Sequence, residues 1–136
     1  MDAGSAISGL NWIAIMLATV SAFMVGGVWY GPLFGKAWMD SFGFTEEYLA
    51  ERNIGLVFGL SFLLSFIAAF NLAMFIPPDA ELGFGIFAGL AAGLGWVATF
   101  LGILYLFEKR SLKSFAINGG YCVVALGLMG AILGAM

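Results

Sequence analysis

Apolar residues fall in four long blocks separated by short polar segments. Ala3–Gly35, Ile54–Ile76, Leu82–Phe107 and Phe115–Met136 contain no Asp, Glu, Lys or Arg. Each block reaches or exceeds the ~20 residues that carry an α-helix across ~30 Å of hydrocarbon. The pattern predicts an all-α integral membrane four-helix bundle with a short interfacial helix after the first span. It forms a single transmembrane domain over residues 1–136, with spans near 8–30, 54–76, 82–107 and 113–135.

The first block ends in Trp29-Tyr30-Gly31-Pro32-Leu33-Phe34-Gly35-Lys36-Ala37-Trp38. Rings with a polar edge, a helix-breaking Gly-Pro and a lysine are what a lipid–water boundary selects. Trp29, Tyr30, Lys36 and Trp38 are therefore candidate interface anchors. Pro32 can open a helix but not continue one, so an interfacial helix is expected from Pro32 to about Ser41. Gly43 should end it, and Thr45 should cap the next helix, with Glu46 and Glu47 at the positive end of its dipole. Pro77-Pro78 should stop the second span sharply.

Small residues recur at spacings of three and four. In the first span the row is Asn11, Ala14, Ala18, Ser21 and Val25. In the third span it is Gly85, Ala88, Ala92, Gly95, Thr99 and Gly102, with Gly85-Gly89-Gly93 as a second ridge. In the fourth span it is Gly120, Val123, Gly127, Gly130 and Gly134. Such rows let helix backbones approach closely where lipid supplies no hydrophobic drive between helices. Internal packing or contact between copies is the expected use.

Composition agrees with the pattern: 62% hydrophobic and 10% charged, against about 25% charged in soluble domains. The net charge of −3 and the lack of a basic stripe exclude a nucleic-acid partner. Membrane lipids are the expected surroundings. There is no histidine, the commonest general base and metal ligand, and one cysteine, Cys122, which forbids an internal disulfide. No catalytic set, metal site or cofactor site is expected. Met-Asp-Ala-Gly-Ser at the start lacks the positive region of a signal peptide, so the first run is expected to be retained.

Charge also orients the chain. Lys36, Arg52, Lys109, Arg110 and Lys113 all fall in the two loops on one side, and Asp2, Asp79 and Glu81 fall on the other. The positive-inside rule then places both termini outside, periplasmic in a bacterial inner membrane. Lys109, Arg110 and Lys113 are further candidate anchors or lipid contacts. No ionisable Asp, Glu, Lys or Arg lies within the four apolar blocks. The polar candidates there are Asn71, Thr99 and Asn118, which could line a site or simply hydrogen bond within and between helices.

Several segments together resemble one family of small four-span bacterial membrane proteins, known as domain of unknown function 1761. They are Asn11-Trp12-Ile13-Ala14, the Trp29–Trp38 stretch, Gly95-Trp96, Phe107-Glu108-Lys109-Arg110-Ser111-Leu112-Lys113, Ile117-Asn118-Gly119-Gly120-Tyr121 and Met129-Gly130-Ala131-Ile132-Leu133-Gly134. The resemblance covers nearly the whole chain and implies four spans but no activity. Family members often carry a histidine directly after the tyrosine matching Tyr121. This chain has Cys122 there, so any proton or metal role of that histidine is missing.

Three functional readings follow. The first is a structural or accessory subunit, not an enzyme, that forms a homo-oligomer or joins a larger complex. The second is a small oligomeric transporter or channel. The third is a membrane enzyme acting on lipids, which would have to use Glu47, Glu51, Glu108 or Lys36 at the basic face.

Overall fold

The computed structural model describes residues 3–136; Asp2 lies outside them. Every regular element among the described residues is helical. In chain order they are α1 (Ala3–Ser8), α2 (Trp12–Leu33), α3 (Gly35–Phe42), α4 (Glu46–Ala50), α5 (Ile54–Met74), α6 (Leu82–Phe107) and α7 (Leu112–Ala135). Four of them, α2, α5, α6 and α7, are long and apolar enough to cross a membrane. The shortest, α5, has 21 residues and spans about 32 Å at 1.5 Å per residue.

Local chemistry sets the helix starts. Asn11, Thr45, Asn53 and Ser111 each accept a hydrogen bond, at 3.1 Å, from the backbone N–H three residues on. That satisfies one of the donors every helix start leaves open. The first span therefore begins at Trp12, not near residue 8, and Asn11 is its cap, not a member of its packing row. At the other end of α6, Lys109 takes a left-handed conformation (φ 57°). The Lys109 N–H bonds to the Leu106 carbonyl and the Arg110 N–H to the Tyr105 carbonyl, a Schellman closure usually built on glycine. Gly43 (φ 73°) closes α3 in the same way.

The spans pack as an uneven bundle with α7 at its hub. One side of α7 carries α6 along most of its length, and the other side carries α2. α5 packs on α2 and touches α7 lightly. The buried core lies in the half away from the basic loops: Ile15, Ala18 and Ala22 of α2, Ala69, Leu72 and Ala73 of α5 with Ile76 beyond it, and Ala125 and Met129 of α7. Ala88 and Ala92 of α6 pack against this core. In the other half α5 is nearly alone. Of residues 54–64 only Val57 is even partly buried, and the contact there is between Phe23 of α2 and the rings of Phe58 and Phe62, 6.3 and 5.6 Å away.

The α6–α7 contact is backbone on backbone. A β-carbon on Gly85 would strike the Gly130 carbonyl oxygen, and one on Gly89 the Leu126 carbonyl oxygen. One on Gly93 would lie 2.8 Å from the Val123 Cα. None of these atoms can swing aside, so only glycine fits. So close a crossing suits Cα–H···O=C contacts, each worth about 0.5–1 kcal/mol.

The row on α6 then changes phase. Residues 93–98 form a wide turn with i→i+5 geometry, which inserts one extra residue into the helix. The α7-facing side runs Gly85, Gly89, Gly93, then skips five to buried Ala98, and continues to Gly102, which packs on the Phe115 ring. The expected row through Gly95 and Thr99 assumed an unbroken helix. The wide turn rotates both outward, and a β-carbon on Gly95 would meet open space. Ala88 and Ala92 face the bundle core instead of the glycine crossing.

A second wide turn, Trp29–Leu33, ends α2, with the Phe34 N–H bonded to the Trp29 carbonyl at 2.8 Å. Pro32 has no N–H to give and sits inside this turn. The interfacial helix therefore begins at Gly35, not at Pro32. A β-carbon on Gly35 would come within 2.6 Å of the Tyr30 carbonyl oxygen, so the chain can reverse there only without a side chain.

Candidate functional site

The two wide turns deliver aromatic residues to one place. The first turns Trp29 and Tyr30 toward α7. The second sets the phase that brings Tyr105 to the same helix. Between them stands Asn118, about 9 Å into α7 from Leu112. The Tyr30 hydroxyl donates to Asn118 Oδ1 at 2.6 Å, and Asn118 Nδ2 donates to the Tyr105 hydroxyl at 2.6 Å. Asn118 thus joins α2, α6 and α7 through one side chain.

Further contacts hold this relay. The Trp29 indole N–H donates to the Ile117 carbonyl at 2.8 Å, and its ring covers Gly120, where a β-carbon would lie 2.9 Å from Cζ2. The Tyr121 hydroxyl donates to the Ala22 carbonyl at 3.3 Å, and its ring stands 5.4 Å from that of Tyr30. Buried aromatic hydroxyls and indoles require such partners.

The interfacial helix α3 packs beside the relay. Trp38 contacts the Tyr30 ring at 5.4 Å and Phe42 contacts the Tyr105 ring at 6.0 Å, both edge-on. Ser114, fully buried, donates from Oγ to the Ser41 carbonyl at 3.2 Å. Lys113 pairs with Asp40 at 3.1 Å. The Arg110 guanidinium lies 4.9 Å from the Phe42 ring centroid, with Nε 3.4 Å from Glu108. These contacts put both basic loops at the same end of the bundle. Exposed ion pairs stabilise by about 0–1 kcal/mol, so the aromatic contacts and the Ser114 bond hold α3 more firmly than the charges do.

The anchors and polar candidates separate clearly. Trp29, Tyr30 and Trp38 are half-buried in this cluster. Arg110 and Lys113 lie beside it with acidic partners. Lys36 and Lys109 are exposed and make no ion pair among the described residues. Asn71 donates back to the Ile67 carbonyl of its own helix at 3.2 Å, and Thr99 to the Gly95 and Trp96 carbonyls. Both face outward, so Asn71, Thr99 and Asn118 do not share one polar stripe. Tyr105, Phe42, Tyr121, Ser114 and Asp40 are residues of the site that sequence reasoning left out. A tyrosine hydroxyl inside an apolar span needs a partner, and that signal pointed to Tyr105.

Two clefts lie elsewhere. One of about 200 Å³, at the opposite end, is lined by Leu10, Asn11, Ile76, Pro77 and Met136 among others. A shallower one of about 380 Å³ lies between Trp38 and α4. Among the described residues no cluster of His, Cys, Asp and Glu could hold a metal. Cys122 is a free, partly buried thiol next to Tyr121.

A family model described as a protein of unknown function, DUF1761, matches residues 13–134. The chain belongs to the DUF1761 family. The match takes in every residue of the relay, both wide turns and the glycine crossing. No curated protein and no solved structure matches the chain. For this DUF1761 chain the geometry is therefore the only guide to function beyond membrane residence.

Proposed function

We propose that this protein is a structural or accessory subunit of a membrane assembly, a homo-oligomer or a larger complex, and not an enzyme. One observation carries the reading: apart from the Phe23 contact with Phe58 and Phe62, the basic half of α5 is exposed. Gly59 faces open space, and Gly55 has only its own cap, Asn53, within reach. A Gly-x-x-x-Gly pair invites close approach by another helix. By contrast, the glycine crossing of α6 and α7 is filled within the chain, so it has no free face for a partner.

The same reading orients the chain with the basic loops cytoplasmic and both termini outside, in a bacterial inner membrane. Transport is less well supported. A pathway needs polar side chains aligned through the bilayer, whereas Asn71 and Thr99 bond to their own helices. A lipid-modifying enzyme is also less well supported, because Lys36, Glu47, Glu51 and Glu108 are all exposed, and among the described residues none of them pairs with another of the four.

Cross-linking tests the reading. A photo-reactive residue at position 59, on the open face of α5, should give covalent products with a second copy or with a discrete foreign subunit in native membranes. A photo-reactive methionine analogue in place of Met129, buried in the core, should not. Lipid adducts alone at position 59 would sink the proposal.

A further inference from the structure

The relay has a surplus proton. Tyr30 and Tyr105 each carry one hydroxyl hydrogen, and each meets a different atom of the Asn118 amide. The amide oxygen can accept from only one of them; the nitrogen can only donate. However the amide is turned, one tyrosine proton is left over. As placed, it belongs to Tyr105, for which no acceptor is present among the described residues. An uncommitted donor away from water is costly, and Tyr105 is only partly buried, so its proton calls for an acceptor from outside the chain.

The surroundings point to that acceptor. Tyr105 lies two residues before the end of α6, about 3 Å along the axis. From there the Phe42 ring and then the Arg110 guanidinium extend toward the helix ends. Arg110 uses Nε toward Glu108 and keeps its two terminal nitrogens for another anion. Lys36, Arg52, Lys109, Arg110 and Lys113 are matched in number by Asp40, Glu46, Glu47, Glu51 and Glu108 at this end, so the draw on an anion is local to the Arg110 guanidinium and not a basic field. The column therefore presents a phosphate-binding group at headgroup depth and a hydroxyl donor one step deeper, at the depth of the glycerol esters.

We infer that Tyr105 and Arg110 form a seat for one glycerophospholipid of the leaflet at the basic end. The Tyr105 hydroxyl donates to an ester carbonyl, and Arg110 holds the phosphate. Asn118 and Tyr30 act as positioning residues: Tyr30 occupies the amide oxygen and so keeps the Tyr105 proton outward. The inference is independent of whether α5 recruits a partner.

Lipid titration followed by native mass spectrometry tests it. The full chain in a neutral detergent is titrated with short-chain phosphatidylglycerol, with its dialkyl ether analogue, which lacks the ester carbonyls, and with inorganic phosphate as competitor. The diester should bind as one retained lipid. The ether analogue should bind about tenfold more weakly, the loss of one hydrogen bond. Tyr105→Phe should weaken the diester about tenfold and leave the ether analogue unchanged. Tyr30→Phe should also weaken the diester, because the amide can then turn and draw the Tyr105 proton inward. Should Tyr105→Phe fail to fold, exposed Arg110→Gln serves in its place: it should weaken phosphatidylglycerol and spare an uncharged diacylglycerol. Equal binding of diester and ether, or full displacement by inorganic phosphate, would overturn the inference.

Discussion

Gly85 and Gly130 each occupy the space where the other's side chain would begin. A β-carbon built on either one meets the other's carbonyl oxygen. This reciprocal exclusion fixes how α6 crosses α7, and with it the register that later brings Tyr105 to Asn118.

Substitutions along the crossing should therefore divide sharply. Gly89→Val must push backbone from backbone and should cost about 1–3 kcal/mol or more, read as a lower unfolding midpoint in detergent. Gly95→Ala should be neutral or slightly stabilising, since its β-carbon enters open space and alanine favours helix over glycine by up to about 1 kcal/mol. Equal effects at both positions would contradict the assigned crossing.

The wide turn at residues 93–98 makes a deletion prediction. Removing Gly95 takes out the extra residue and leaves the row Gly85, Gly89, Gly93, Ala98, Gly102 at a regular spacing of four. The protein should still fold. Removing Phe87 instead rotates the rest of α6 by about 100° and should destroy the fold, measured as lost yield of a monodisperse product.

Polar candidates in the spans should differ as their partners do. Asn118→Leu strands two tyrosine hydroxyls and should destabilise by about 1–2 kcal/mol. Asn71→Leu and Thr99→Val lose only bonds to their own helices at outward positions and should stay within about 0.5 kcal/mol of the parent. Reversible unfolding in mixed micelles measures all three.

The pattern of the chain shows why some of this was legible and some was not. The four apolar blocks are each continuous in sequence, and crossing a bilayer is a property of one segment at a time, so the four apolar helices could be read directly. Caps such as Thr45 are equally local. The glycine row was legible as a close-approach surface, but its path was not. Periodicity carries it through Gly95 and Thr99, and one inserted residue in the wide turn sends it to Ala98 instead. The Tyr30–Asn118–Tyr105 relay joins residues 88 and 13 apart in sequence, and nothing in spacing alone pairs them. Asn11 was misread because a cap and the first member of a helix face look alike when the start is uncertain by a few residues.

Orientation follows from charge and can be read by labelling. With Cys122 replaced by Ser, a cysteine at Lys109 should react with an impermeant maleimide only after cells are opened, and one at Asp79 should react in intact cells. The reverse pattern would invert the topology.

The size of the native assembly bears most directly on the proposed role. The protein, extracted from its own membrane with a polymer that keeps the surrounding lipid, can be weighed by mass photometry or native mass spectrometry. An assembly holding at least two copies, or one copy with a foreign subunit against α5, is the expected result. A single chain with lipid alone along Ile54–Leu64 would contradict it.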